Sequence, residues 1–326
     1  MKILILTAGK TGSTALTYGI HTQLPDHNII FEPQSLRIND YNNKNVIVKS
    51  LKIVNWENEQ EELYNYDKRI LLVRHPFDRL ISYLLYIPYN GNGFTNDHVS
   101  RRYLDLIRSK AENPQDVDTL EIINSLQDIF SFKLLMILSR EHNKMLELFS
   151  QRSAIPFELV KYEDFLEGIN ENIEQYLGIL LPKGSKVDVA DNFKRVSRRR
   201  KYGEWQTWFT ANDINEIAPF FAEFNQEFGY QTTKTDADEL SLIEPEYSYL
   251  YTMKVINEYR KRQSLPLYEH GKIKIGEEGV FIDQSIKNYQ MKNFIEAENS
   301  INQALEINPS LPELLRLREK ISRSFS

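Results

Sequence analysis

Lys2-Ile3-Leu4-Ile5-Leu6-Thr7, then Ala8-Gly9-Lys10-Thr11-Gly12-Ser13-Thr14, then Ala15-Leu16-Thr17-Tyr18-Gly19-Ile20 open the chain and read as strand, loop and helix. A short, nearly continuous apolar run suits a strand buried on both faces of a parallel sheet. Gly9 and Gly12 interrupt it ahead of Ser13 and Thr14, whose hydroxyls can cap a helix. The N–H groups of such a loop and of the first helical turn point outward, with the helix dipole behind them, and together they favour an anion. Lys10 adds a mobile cation. The loop is not a Walker A sequence, because Lys10 precedes Gly12 instead of following it. A plain strand-to-helix turn is the alternative reading of this stretch alone.

The 326 residues have room for one large α/β domain with an appendage, or for two ordinary domains. With 41% hydrophobic and 26% charged residues the chain is of globular composition. Its net charge of −6 argues against a protein that coats nucleic acid, so any basic site is local. The absence of cysteine excludes disulfides, thiol catalysis and thiolate metal sites, and it fits a reducing compartment. The opening apolar run is too short for a signal-peptide core or a membrane span. A cytoplasmic protein without a transmembrane segment is the expectation.

Further apolar runs supply further strands. Asn28-Ile29-Ile30-Phe31-Glu32-Pro33 is a short one, and Pro33 holds Glu32 extended at its end. Ligands of open α/β sheets collect at such carboxyl ends, although an isolated Glu is more often a solvated surface residue. Asn45 to Leu51 is a strand ending near Lys49, and Arg69 to Val73 is another, delivering Arg74-His75-Pro76-Phe77-Asp78-Arg79. A helix follows over 80–86 and sets Ser82 eight residues beyond Arg74, where the two can converge on one anion. Residues 90–98 are polar around Phe94 and read as a lid or substrate loop. From 99 to 150 the spacing of Leu126, Ile129, Phe130, Leu134, Leu135 and Leu138 is helical and marks core. Phe157 to Phe165 holds a further strand ending in Lys161-Tyr162-Glu163-Asp164, with a helix expected to begin near a capping Asp164.

The most basic run, Lys194, Arg195, Arg198, Arg199, Arg200 and Lys201, precedes Tyr202-Gly203-Glu204-Trp205-Gln206-Thr207-Trp208-Phe209-Thr210. It reads as a solvated face, an RNA or membrane surface, or a local polyanion site. Composition shifts at Thr232–Glu246, the expected boundary between a domain over 1–235 and a helical extension over 236–326. Within the extension, Tyr289, Phe294, Ala297, Ala304, Leu305 and Pro309 have the spacing of a tetratricopeptide helix pair, placed near 283–316. One such repeat cannot bury its apolar face alone, so it stacks on a neighbouring segment, such as a helix from Leu311 to Ser324, or presents a surface to a protein partner.

Taken together, four of these stretches resemble the sulfotransferases that use 3′-phosphoadenosine 5′-phosphosulfate, PAPS. Lys10-Thr11-Gly12-Ser13-Thr14 is similar to that family's 5′-phosphosulfate loop, and Arg74 with Ser82 to its 3′-phosphate pair. Tyr162-Glu163-Asp164 resembles its strand end beside the adenine. Arg198-Arg199-Arg200-Lys201-Tyr202-Gly203-Glu204-Trp205 is similar to the segment that closes over the 3′-phosphate, although Arg200 replaces a Gly and Gln206 a Lys. The resemblance covers roughly residues 1–230 and implies a P-loop-like parallel sheet flanked by helices. It further implies sulfonate transfer from PAPS to an acceptor hydroxyl, with 3′-phosphoadenosine 5′-phosphate, PAP, as product and no metal required.

In this reading Lys10, Glu32 and Lys49 are the catalytic set. The nucleotide is held by Lys10, Thr11, Gly12, Ser13, Thr14, Arg74, Ser82, Tyr162, Arg198, Arg199 and Trp205. The histidine base of many cytosolic members is absent, since Lys49 is followed by Ser50-Leu51-Lys52. Glu32 resembles the glutamate base of carbohydrate and bacterial branches, so a sugar or glycan acceptor is favoured over a phenol, small molecule or peptide. His75 and His98 are weaker candidates for the base. A P-loop-type kinase and a noncatalytic tetratricopeptide-like interaction protein are the competing classes.

Overall fold

A computed structural model of the chain describes all residues except 38–44, 90, 131–132, 195–196, 235–241, 269–280, 282–283, 286–287, 290, 308–314, 316–317, 320 and 324–326. The side chains of residues 92, 98 and 128–130 also lie outside the description. The expected boundary at 235/236 falls among the undescribed residues, as do Arg195, Asp283, Pro309 and Leu311. The chain divides into two compact units. The first takes in Met1–Leu84, Leu135–Thr207 and Ile214–Leu240, and the second Leu85–Leu134, Trp208–Asp213 and Ser241–Ser326.

Five parallel strands form the sheet of the first unit: β1 (Lys2–Thr7), β2 (Asn28–Phe31), β3 (Val46–Ser50), β4 (Lys68–Val73) and β5 (Glu158–Lys161). Their order is β2-β3-β1-β4-β5, the α/β architecture expected from the apolar runs. Alternation along each strand divides the core in two. Leu4, Leu6, Val46, Val48, Leu71 and Val73 face Met145, Leu148, Phe224 and Phe228. Ile3, Ile5, Ile47, Ile70, Leu72 and Val160 face Ala15, Leu16 and Ile20 of helix α1 (Ser13–Gln23), with Phe165 and Leu166. Each such fully buried side chain contributes about 1.5–3 kcal/mol relative to exposure.

The strand order creates a switch point. From β1 the chain leaves toward β2, and from β4 it leaves toward β5 on the other side, so a crevice opens between the carboxyl ends of β1 and β4. The glycine loop and Arg74 are the two segments that emerge there. Local boundaries differ from the sequence expectation in three places. The helix after β4 runs Pro76–Leu84 and begins earlier than expected, because proline suits a first helical position. The helix after β5 starts at Tyr162 with Lys161 as its cap, so Asp164 lies inside the first turn and is not the cap. At α1 the cap is Gly12, in left-handed conformation, and neither Ser13 nor Thr14 caps the helix.

The second unit is mainly helical, with helices at Asp97–Glu112, Thr119–Phe130, Tyr249–Arg262 and Phe294–Ile307. Asp213, fully buried, accepts the N–H groups of Thr119, Leu120 and Thr210 at 2.8–2.9 Å. A carboxylate at the start of the Thr119 helix complements the positive end of its dipole. Phe94 is buried in T-shaped contact with Tyr103, so the aromatic expected in a lid is a core residue, and its carbonyl is bonded by the Ser100 hydroxyl. Ala297, Ile301, Ala304 and Leu305 pack with Ile321, Phe281 and Tyr289. Among the described residues no helix is long and apolar enough to cross a membrane.

Candidate active site

The loop after β1 is shaped by two left-handed residues, Lys10 at φ 68° and Gly12 at φ 87°. The ring of Tyr162 lies against Gly12 so closely that a Cβ there would stand 2.2 Å from Cε2. Only glycine fits. The Thr11 hydroxyl is turned inward to Thr7 Oγ1 at 2.5 Å and the Ala8 carbonyl at 3.0 Å, and the residue is fully buried. Ser13 is buried at the start of α1, Thr14 is half-buried, and the first turn carries no acidic side chain to satisfy the dipole.

Arg74, leaving the end of β4, is buried and joins this loop to the basic segment. Its Nη1 donates to the Lys10 carbonyl at 3.1 Å and its Nη2 to the Lys201 carbonyl at 3.4 Å. The guanidinium lies 4.5 Å from the centre of the Tyr162 ring. Its buried Nε has no acceptor among the described residues. Burial, followed by Arg198, Arg74 and Lys49, brings the Lys10 ammonium down to about 7. Each named charge near Lys10 is a cation, and these three cations come from three separate stretches of chain.

Lys49 is brought beside β1 by its pairing with Ile5. Its Nζ forms an ion pair with Glu32 Oε1 and stands 5.8 Å from the centre of the Phe31 ring. The Lys49 side chain is 6% exposed and that of Glu32 54%, so the carboxylate is open to solvent while its partner is fixed inside. Glu32 immediately follows β2 with φ 50°, left-handed and not extended as expected before Pro33, and its N–H donates to the Lys49 carbonyl at 2.7 Å. Backbone in this region is uncommon for a residue with a side chain, and such residues cluster at functional sites. Among the described residues of the first unit, Lys10 and Glu32 are the non-glycine residues that adopt it.

Over residues 198–205 the structure departs from the sequence expectation. Arg198 pairs with Glu204, both nearly buried, and Arg199 reaches the same carboxylate at 3.4 Å. Trp205, expected among the residues that hold the nucleotide, is 4% exposed and stacked on the His75 ring at 5.2 Å. It anchors the segment. Tyr162, also buried, supports Gly12 and Arg74 instead of forming an open wall. His75 is excluded as a base: Nε2 bonds the Gln231 carbonyl at 2.8 Å, and Nδ1 accepts the Phe77 N–H at 3.2 Å. Burial also lowers its pKa. The His98 side chain is outside the description, and Ser82 is half-buried on the Pro76–Leu84 helix.

Sequence reasoning missed Glu204, which holds the two arginines, and Glu163. The Glu163 carboxylate accepts the His75 N–H at 2.9 Å and the Tyr230 hydroxyl at 3.1 Å, and burial raises its pKa. It also missed Asp78, for which an acidic residue in the first turn of a proline-initiated helix was the available signal. Among the described residues no group of three or more His, Asp or Glu side chains is arranged to hold a metal ion.

No protein-family model matches the chain, and no curated protein is similar to it. Among solved structures, mouse sulfotransferase SULT7A1 complexed with PAP is similar at a TM-score of 0.41 and 15% identity, covering 68% of this chain and 83% of that one. The sulfotransferase domain from the curacin biosynthetic pathway is similar at a TM-score of 0.31 and 12% identity, covering 82% of this chain and 98% of that one.

Proposed function

We propose that the chain transfers a sulfonate group from PAPS to an acceptor hydroxyl. The observation that carries this reading is the gathering of Lys10, Lys49, Arg74 and Arg198 about the glycine loop at the β1/β4 switch point. So dense a set of cations suits a compact polyanion. The buried Nε of Arg74, without an acceptor among the described residues, and the close backbone approach allowed at Gly12 fit a phosphate-bearing nucleotide.

When bound, PAPS supplies a sulfonate on a 5′-phosphate leaving group, with a 3′-phosphate as a handle. Arg74, with Ser82, Arg198 and Arg199, holds the 3′-phosphate and separates this nucleotide from ADP or ATP. Lys10 and the N–H groups of residues 11–14 neutralise the charge that develops on the leaving phosphate, as preorganised donors. Glu32 takes the acceptor hydroxyl proton while that oxygen bonds to sulfur and the bond from sulfur to the phosphate oxygen breaks. Lys49 orients Glu32 through their ion pair. The acceptor is proposed to be rich in hydroxyls, a sugar or glycan. A cleft of about 820 Å³ begins two residues past Glu32, and its lining mixes Gln34 and Tyr64 with the carboxylates of Glu57, Glu59, Glu61 and Glu62, acceptors that suit the hydroxyls of a neutral acceptor.

Calorimetry with PAP, ADP and ATP tests the reading. PAP is expected to bind selectively, and Arg74→Ala to weaken it about 10–100-fold, the loss of hydrogen bonds to a charged group. Glu32→Gln is expected to lower turnover about 10²–10⁴-fold while leaving PAP affinity unchanged. Equal binding of the three nucleotides, or unaltered PAP affinity in Arg74→Ala, overturns the assignment.

A further inference from the structure

Asp78 lies on the Pro76–Leu84 helix, one turn beyond Arg74, and is 1% exposed. Its Oδ2 accepts the N–H of Gly203 at 2.6 Å and its Oδ1 the N–H of Trp205 at 3.1 Å. Between those two amides sits Glu204, the residue that holds Arg198 and Arg199. Arg74 grips the same segment at the Lys201 carbonyl, and His75 stacks on Trp205. Thus three near-consecutive residues at the end of β4 fix the alternate positions 201, 203 and 205. Gly203, at φ 79°, makes the left-handed turn that aims its N–H at the carboxylate.

We infer that Asp78 is a positioning residue that latches residues 198–205 beside Arg74, so that nucleotide affinity depends on a carboxylate too buried to touch the nucleotide. This rests on the nucleotide-binding reading above. A carboxylate suits the task because both oxygens accept, whereas an asparagine offers one acceptor and turns its NH2 toward the other amide. Released from Asp78, the segment carries Glu204 away with it, and the two arginines lose their fixed place relative to Arg74.

The test uses the full chain with Asp78→Asn, which keeps the size of the side chain, and Asp78→Ala. Amide exchange in 198–205 and PAP calorimetry are read alongside the melting temperature. The expected result is exchange at Gly203 and Trp205 faster by at least about tenfold and PAP affinity weaker by about tenfold or more, the loss of one charge-assisted hydrogen bond. Wild-type exchange in the variants overturns the latch. So does unchanged PAP affinity beside accelerated exchange, since fixing the segment would then be irrelevant to the nucleotide. Should neither variant fold, slow exchange at both amides of the wild type supports the inference and fast exchange refutes it. Absence of PAP binding in the wild type defeats the proposed function, while the exchange arm still decides the latch.

Discussion

Gly12→Ala tests the packing on which the loop depends. The backbone at this position has φ 87°, and alanine in left-handed conformation costs about 1–2 kcal/mol. The new Cβ would meet Tyr162 Cε2 at 2.2 Å and Cδ2 at 2.3 Å, so the ring must retreat by about 1.3–1.8 Å to reach ordinary contact distance. Tyr162 is buried beneath the Arg74 guanidinium, and overpacking of this kind costs about 1–3 kcal/mol. The sum is about 2–5 kcal/mol. In a Tyr162→Ala background the steric part vanishes and the backbone part stays, giving a coupling energy of about 1–3 kcal/mol. Urea unfolding of the four proteins, with unchanged slopes, gives both numbers. A cost below about 0.5 kcal/mol, or the same cost in both backgrounds, would refute the reasoning.

Two pH effects follow from the buried charges. Lys10 sits at about 7 in the free protein, so an anion that raises it must draw in a proton above that pH, and PAP affinity is expected to fall as pH rises past 7. Calorimetry at pH above 7 in buffers of different ionisation heat should reveal proton uptake that Lys10→Met removes; equal uptake in the variant would sink the idea. His142, buried beside Arg79 at 3.3 Å, is held well below its ordinary value of 6.5, first by burial and then by Arg79. A depressed histidine leaves stability intact above 6.5 and drains it as pH falls, because the unfolded chain takes the proton. Urea midpoints followed downward from neutral pH should therefore fall less steeply in His142→Gln, and identical slopes would exclude His142 as the source.

What the sequence disclosed was set by local physics. β1, β3 and β4 were legible because a strand buried on both faces is apolar at nearly every position. Lys10, Arg74 and Glu32 were legible as residues at strand ends, where open sheets gather their ligands. Asp78 was not, since its partners lie 125 and 127 residues away and are backbone amides, which leave no trace in side-chain patterns. Trp205 was misread because an aromatic beside a basic run is equally the mark of a stacking surface and of an anchor. Its partner His75 decides for the anchor. Phe94 misled for a similar reason, a polar neighbourhood concealing a core position.

The left-handed backbone at Lys10 and Glu32 sets chemistry against rigidity. At both positions the conformation asks for glycine, and the proposed reaction asks for an ammonium and a carboxylate. A redesign that scored only foldedness would therefore write glycine at 10 and 32, gaining a steadier scaffold with the proposed reactive groups removed. Strain tolerated at these two places makes them poor guides to thermal hardening and good guides to where a stabilised variant must be left alone.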